Sequence, residues 1–359
     1  MEKYRVGIVG ATGMVGQRFI SLLKDHPWFE VNCVAASARS AGKTYREAVG
    51  ERWAFAWEIP EKVAGMTVVD AADIDEVSKH VDFVFCAVDM KKDEIRALEE
   101  AYAKHEIPVV SNNSACRGIE DVPMVVPEIN ADHLAVIEAQ KKRLGTKSGF
   151  IAVKPNCSIQ SYVPALTPLL DFEPEKVSVC TYQAISGAGK TFKTWPEMVD
   201  NVIPYIGGED EKSENEPLKL WGHVEDGKIV NAALPVISAQ CLRVACSDGH
   251  MAAVSVSFKK KPTIEQIKER WANYETEAQR LELPSAPKPF LQYFEDPSRP
   301  QTRLDRDFQN GFGVSIGRLR EDTIFDYKFV SLSHNTLRGA AGGAVLMAEL
   351  LCAEGYMDR

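Results

Sequence analysis

Tyr4-Arg5-Val6-Gly7-Ile8-Val9 runs straight into Gly10-Ala11-Thr12-Gly13-Met14-Val15-Gly16, and Phe19, Ile20, Leu22 and Leu23 follow at helical spacing up to Pro27. An apolar strand, a glycine turn and a helix in that order make the first unit of a Rossmann fold. The three glycines, spaced three and three, are a variant of the G-x-G-x-x-G pattern. Their bare backbone lets a pyrophosphate approach N–H groups at the positively polarised end of a helix. Gly10, Ala11, Thr12, Gly13, Met14 and Val15 are therefore the candidate phosphate-binding residues. A tight turn alone would also ask for glycine, and it is the position at the first strand-helix junction that favours the nucleotide reading.

The second strand, Val31 to Ala36, ends in Ser37-Ala38-Arg39-Ser40-Ala41-Gly42-Lys43. A chain that reads the ribose of NAD places Asp or Glu about 20 residues past the glycines, and none stands there. Arg39 with Ser37 and Ser40 offers a cation and hydroxyls instead, which suits a 2′-phosphate and favours NADP. Residues 45–65, rich in aromatics (Tyr45, Trp53, Phe55, Trp57), read as an insertion to which no role attaches. The pattern then resumes with a strand at Val81–Val88, a helix at Lys92–His105 and a strand at Ile107–Ser111. Cys86 falls at a strand's C-terminal end, where such sheets hold their cofactor. The polar loop Ser111–Arg117 carries a cation suited to a phosphate.

At 359 residues the chain suits two domains, each able to bury its own core. A net charge of -9 argues against nucleic acid or an anionic membrane as a partner of the whole surface, so any anionic ligand needs cations gathered locally. No apolar run approaches the roughly 18 residues of a membrane span, and a strand beginning by Tyr4 leaves no room for a signal peptide. A cytoplasmic protein is expected. The eight cysteines are scattered without a C-x-x-C pair, so neither a metal site nor a disulfide framework is indicated.

The second half carries β-type runs at Lys176–Ile185, Gln240–Cys246, Met251–Phe258 and Phe325–Leu332, with helical segments at 189–204, 263–279 and Gly339–Leu351. These predict a largely antiparallel or mixed sheet, with the last, small-residue helix returning to the first domain. The fold class is α/β: an N-terminal Rossmann-type domain of residues 1–154 plus 335–359, and a C-terminal α+β catalytic and oligomerisation domain of residues 155–334.

Between the halves lies Lys154-Pro155-Asn156-Cys157-Ser158-Ile159-Gln160. Asn156 is placed to cap a helix through the apolar segment Tyr162–Phe172, leaving Cys157 in its first turn, where the helix end favours a thiolate. Pro164 and Pro168 oppose a straight helix, so the alternatives are a kinked helix or a short turn at Cys157. Downstream, Arg243-Val244-Ala245-Cys246-Ser247-Asp248-Gly249-His250 closes a strand, turns on Gly249 and delivers a histidine able to act as base for Cys157. Taken singly, a structural cysteine and a packing histidine are equally open readings.

The glycine stretch 10–16, Pro155-Asn156-Cys157-Ser158, Tyr182-Gln183-Ala184-Ile185-Ser186-Gly187-Ala188-Gly189, Arg243 through His250, and Asn335 through Gly342 together resemble the aspartate-semialdehyde dehydrogenases, more their archaeal and fungal branch than the usual bacterial one. The resemblance spans nearly the whole chain. It implies a fold like that of glyceraldehyde-3-phosphate dehydrogenase and a homo-oligomer, dimer or tetramer. It implies NADP-dependent conversion of aspartyl 4-phosphate to aspartate 4-semialdehyde and phosphate through a Cys157 thioester, towards lysine, threonine, methionine and isoleucine. His250 would take and return the thiol proton, while the Cys157 N–H and the Asn156 amide would steady the oxyanion. Arg243 would pair with the substrate carboxylate, Arg117 and Lys219 with its phosphate, and Glu216 with its ammonium group. Gln183 would orient the acyl group, and Ser186, Gly187 and Asn335 would lie near the nicotinamide. Pro217, inside the stretch Glu214–Lys219, departs from the family's pattern and unsettles the Glu216 and Lys219 assignments. The competing readings are an N-acetyl-glutamyl-phosphate or malonyl-CoA reductase of the same fold, a cysteine acyltransferase or hydrolase without redox chemistry, and a silent NADP-binding regulator.

Overall fold

The structure, a computed structural model, describes Glu2–Met357; Met1 and the end of the expected first domain, Asp358 and Arg359, lie outside the described residues. The first sheet comprises β1 (Tyr4–Val9), β2 (Phe29–Ala36), β3 (Val69–Asp70), β4 (Phe83–Cys86), β5 (Val109–Ser111) and β6 (Ile151–Val153). All pairs are parallel, in the order β3-β2-β1-β4-β5-β6. Covered on both faces, such strands bury every side chain, as Phe83 to Cys86 do, which is why they read as apolar runs rather than alternations. Strand order reverses between β1 and β4, and the loops leaving their C-terminal ends open a crevice there. Gly10 makes that packing possible: its φ is +91°, and an added Cβ would lie 2.3 Å from the carbonyl oxygen of Ala87.

The insertion of residues 45–65 clasps the glycine turn. Thr44 and Glu47 form a capping box on the short helix Tyr45–Val49, and the Tyr45 hydroxyl donates to the Ala11 carbonyl at 2.8 Å. Gln17, in helix α1 (Met14–Leu23), donates to the carbonyls of Thr12 and Arg52 and accepts from the Ala54 N–H. Phe55 and Trp57 stack at 4.8 Å, with the Arg18 guanidinium 4.2 Å above the Phe55 ring.

The second sheet has seven strands: β7 (Pro174–Gln183), β8 (Val202–Ile203), β9 (Val236–Val244), β10 (His250–Phe258), β11 (Leu291–Phe294), β12 (Val314–Glu321) and β13 (Tyr327–Ser333). Their order is β11-β12-β13-β10-β7-β9-β8, mixed because β9 pairs with β7 and β11 with β12 in parallel. Helix α2 (Glu209–Leu220) packs beside β9.

Three expected helices are redrawn. Residues 189–204 form no helix but a 3-10 turn at Pro196–Met198 and the edge strand β8. The 263–279 stretch divides into Ile264–Ala272 and Glu277–Arg280, the first ended by Asn273. The segment after Cys157 is not one helix: a 3-10 turn at Ile159–Ser161, a single turn at Val163–Leu166 and a 3-10 stretch at Thr167–Phe172 follow one another. Pro164 and Pro168 each open a new piece, because proline lacks the N–H that would continue the old one. Cys157 therefore sits on a short turn.

The last helix, α3 (Gly342–Ala353), is buried over Gly342–Leu351 and packs among Val6, Ile8, Phe19 and Phe85 of the first sheet's core. It is preceded by a wide turn, Leu337–Ala341, broken at Ala340 (φ -137°, ψ -114°). Arg338 of this turn makes a bidentate pair with Glu128 at 2.9 and 2.5 Å, with both side chains fully buried. Removing one partner of such a pair strands a charge in the interior, at a cost of about 3–5 kcal/mol. Arg338→Met is accordingly expected to lower unfolding stability by about that much in urea titration, and a loss below about 1 kcal/mol would contradict this reading.

Candidate active site

Five stretches converge on a cavity of about 180 Å³ between the sheets, lined by Met14, Asn112, Arg117, Lys154, Asn156, Cys157, Ser186, Gly187, Asn335 and Gly339 among others. Cys157 Sγ lies 3.5 Å from His250 Nε2. His250 opens β10 and is wholly buried. Burial, then the nearby Arg243 guanidinium, hold its imidazole well below the ordinary histidine range. Burial likewise pushes the Cys157 thiol up, Glu209 adding to this while Lys154, Arg117 and Arg243 oppose it. Both shifts act against a thiolate–imidazolium pair, and no continuous helix starts here to favour the thiolate.

The Ala184 N–H reaches His250 Nδ1 at 3.0 Å, which anchors the ring with Nε2 facing Sγ. The N–H of Ala184 is free for this bond because β7 ends at Gln183, one residue before.

The turn before the nucleophile is held from one helix. Glu216 Oε2 accepts from the Asn156 backbone N–H at 2.5 Å, and Glu209 Oε1 accepts from Asn156 Nδ2 at 3.0 Å. Asn156 Oδ1 caps the turn by accepting from Ser158 N and Oγ, both at 2.7 Å. The backbone N–H and one of the two side-chain N–H groups of Asn156 are thus committed to carboxylates, and Asn156 clamps the turn. Glu209 was not singled out in the sequence; it lies seven residues before Glu216, two helical turns away on the same face, and that spacing was the available sign. Burial raises Glu209, but hydrogen bonds from Lys212, Gln183 and Asn156 outweigh it and leave the carboxyl below its usual range.

The cations divide. Arg117 donates to Glu216 at 3.0 Å and to the Asn112 carbonyl at 3.3 Å, and its buried Nε has no partner. Arg243 Nη1 donates to the Ala184 carbonyl at 2.7 Å. Lys219 differs from expectation: its ammonium is spent on the carbonyls of Arg117, Ile119 and Val122 at 2.7, 2.7 and 3.0 Å, so it braces the loop that carries Arg117. Its own pKa is pushed down to about 8 by burial. Pro217 interrupts helix α2 without displacing either Glu216 or Lys219 from the site's edge. Gln183, buried at the end of β7, donates to Glu209 and Thr181, each at 3.2 Å. Asn335 joins Gly249 N–H (2.7 Å) to Ser186 Oγ (2.9 Å).

The cofactor residues line up along the crevice of the first sheet. Gly13, at the N-cap of α1, has no side chain to cap the helix, and no acid stands in its first turn, which fits a pyrophosphate there. Ser37, Arg39 and Ser40 form an exposed or half-exposed turn past β2, at the same edge of the sheet. Met14 and Val15 border the cavity beside Cys157. Cys86 ends β4 at the crevice, with its side chain buried in the core and its sulfur accepting from Asn113 Nδ2 at 3.4 Å.

A dinucleotide crevice opening onto a half-buried cysteine and a buried histidine defines an oxidoreductase that works through a thiol. Residues 5–137 match the family model for the semialdehyde dehydrogenase NAD-binding domain and 166–338 that for its dimerisation domain. Among curated relatives, the aspartate-semialdehyde dehydrogenase of Schizosaccharomyces pombe is 45% identical, the alignment covering 98% of this chain and 99% of that one. That of Archaeoglobus fulgidus is 43% identical over 98% and 99% of the two chains. The solved Candida albicans enzyme, described with NADP, superposes with a TM-score of 0.89 at 38% identity over 99% of this chain and all of that one. The chain belongs to the aspartate-semialdehyde dehydrogenase family.

Gly187 sits hard against two site residues: an added Cβ would lie 2.8 Å from Arg243 Nη1 and 3.0 Å from His250 Nε2. Gly187→Ala must move one of them, and a displacement of that kind costs roughly a hundredfold in kcat. Steady-state kinetics showing wild-type kcat in Gly187→Ala would remove Gly187 from the site.

Proposed function

We propose that Cys157 performs this family's reaction, the NADP-dependent reductive dephosphorylation of 4-phospho-L-aspartate to L-aspartate 4-semialdehyde, by way of a thioester. The observation that carries the assignment is the Cys157–His250 contact at 3.5 Å beside a cavity that Cys157 lines with Arg117 and Asn156, whose backbone N–H donates to Glu216. The Cys157 sulfur attacks the acyl carbon and phosphate leaves, so the carbonyl is held as a thioester, a far better hydride acceptor than a carboxylate. NADPH, when bound by the glycine turn and Ser37, Arg39 and Ser40, supplies the hydride. His250 Nε2, 3.5 Å from Sγ, takes the thiol proton as the sulfur attacks and returns it later, and the Cys157 N–H is the backbone candidate for the oxygen that gains charge. Arg243 is assigned to the substrate carboxylate and Arg117, whose Nε is unpartnered, to the phosphate.

Two carboxylates, Glu209 and Glu216, stand beside these cations. A substrate with a free ammonium group complements them, whereas an N-acetylated glutamyl phosphate or a malonyl thioester carries none. That difference favours the aspartyl reading over its relatives of the same fold. The nucleotide crevice, in turn, disfavours a non-redox acyltransferase.

We further propose the division at residues 154/155 and 334/335, with α3 completing the first domain. A homo-oligomer is supported by exposed apolar residues on and around the β8 and β9 edge of the second sheet: Val199 (60%), Val202 (54%), Tyr205 (72%) and Val236 (63%). No helix of the described residues is long and apolar enough to cross a membrane. Eight free cysteines suit a reducing compartment, in keeping with a cytoplasmic location.

The deciding assay follows NADPH at 340 nm with aspartate semialdehyde, phosphate and NADP. Phosphate-dependent NADPH formation that falls at least a thousandfold in Cys157→Ala is expected. No turnover with NADP binding retained would sink the substrate assignment. For the oligomer, sedimentation at micromolar protein is expected to give a dimer or larger, and a monomer would contradict the edge reading.

A further inference from the structure

One cluster of side chains behind His250 holds the turn that delivers it and takes part in none of these steps. Residues 246–249 lead from β9 into β10, and the chain grips them from two sides. The N–H groups of Ile185 and Ser186 donate to the carbonyls of Cys246 and Ser247 at 2.9 and 3.2 Å, so the loop bearing Ser186 and Gly187 hangs on this turn. Gly249, at φ +96°, donates its own N–H to Asn335 Oδ1 at 2.7 Å.

A third hold comes from a distant part of the chain. Arg306, between β11 and β12, donates from Nη1 to Ser247 Oγ at 3.1 Å and to the Asp248 carbonyl at 3.0 Å. Its segment also packs on the turn: a Cβ added to Gly249 would lie 2.6 Å from Thr302 Cγ2 and 3.2 Å from Arg306 Cβ. Asp305, the residue before it, is buried and accepts from the Arg299 guanidinium and from the Gln301 N–H, so the arginine is presented from a fixed base. Asp307, an exposed carboxylate, lies 3.9 Å from Arg306 Nε, outside hydrogen-bond reach, and the donors of Nη1 go to the turn instead.

The Asp248 carbonyl precedes β10 and has no ladder partner, and Arg306 supplies the donor it needs. His250, two residues on, opens the strand opposite Ser333. Where the turn sits therefore decides where the imidazole starts, and Nε2 has to stay within reach of Sγ, 3.5 Å away. Arg306 itself does not line the catalytic cavity.

We propose that Arg306 is a positioning residue for proton transfer at Cys157: by holding Ser247 and Asp248 it fixes the point at which His250 enters β10 and keeps Nε2 facing the sulfur. The inference rests on His250 taking the thiol proton. His250→Asn tests that reading by itself, so the two can fail separately: His250→Asn inactive beside a wild-type Arg306→Gln removes only the role of Arg306, whereas a fully active His250→Asn removes both.

The experiment measures alkylation of Cys157 by iodoacetamide at pH 7 in full-length protein, with Cys157→Ala as the blank for the other seven cysteines, alongside steady-state kinetics. Alkylation follows removal of the thiol proton and needs no substrate. Arg306→Gln is expected to slow it about fivefold and to lower kcat roughly tenfold, with KM for aspartate semialdehyde and phosphate within about twofold of wild type. Arg306→Lys, which keeps a cationic donor, is expected to recover much of both losses. The thermal transition and NADP binding identify the folded variants. Unchanged alkylation in folded Arg306→Gln overturns the proposal. So does a rise in KM as large as the fall in kcat, which would mark a general distortion of the site, and so does Arg306→Lys failing like Arg306→Gln while still folded. Should no Arg306 variant fold, Ser247→Ala removes one acceptor from the other side of the contact. Slower alkylation in Ser247→Ala at unchanged KM supports the role of Arg306, and an unchanged rate overturns it.

Discussion

The grip of two carboxylates on Asn156 is the contact on which the site depends. Glu209 and Glu216 lie two turns apart on one face of the helix that follows β8, and they take the side-chain and backbone N–H groups of Asn156 respectively. The remaining oxygen of Asn156 closes the turn on Ser158. A turn held at all three polar groups cannot drift, so the sulfur one residue on has a fixed address. Two buried acids are tolerable only if cations stand near, and Arg117 and Lys212 pair with them directly. The charges needed to recognise an amino-acid phosphate are thereby also the charges needed to keep the nucleophile's turn in shape.

The second dependence is on the chain's return. Asn335, Gly339 and Arg338 come from one short stretch after β13, and each ties a different part of the site. Asn335 joins Gly249 to Ser186, Gly339 packs on Cys157, and Arg338 anchors the stretch on Glu128 below the first sheet. Glycine at 339 is set by that approach, since any side chain would press on the backbone of the nucleophile. The helix after this stretch buries itself among the side chains of the first sheet and carries no polar face, its one charged residue, Glu349, being buried against His26 and Ser285.

Legibility in the sequence followed the physics of each region. The first sheet was plain because its strands are buried on both faces and its glycine turn has a sterically unique use at Gly10. Four strands of the second sheet were found, within a few residues at each end, but β8, β11 and β12 were not: Val314–Glu321 ends in charges, and strands of two and four residues have little period to detect. The helical reading of 189–204 failed because nothing local distinguishes a turn-rich loop with apolar residues from a short amphipathic helix. The Cys157 and His250 positions came from motif context. Glu209 did not, since a glutamate in an acidic helix start looks like a dipole partner. Lys219 misled for the converse reason: a lysine near a phosphate-binding loop looks like a ligand, and only the three carbonyls around its ammonium show that it braces the loop.

Burial makes a site built for a thiolate also penalise it. The same low-dielectric surroundings that push the Cys157 thiol up and the His250 imidazole down penalise every charged form, and the thiolate is the most exposed to that penalty. Acyl transfer removes it. When the sulfur becomes a thioester its charge leaves with the phosphate, so the environment that resists forming the nucleophile favours the intermediate that consumes it. The same absence of water protects the thioester from hydrolysis while hydride is delivered. What the site requires is a small number of fixed cations that make the thiolate reachable without opening the cavity to solvent, and the cations buried within the wall, rather than any helix end, meet that requirement.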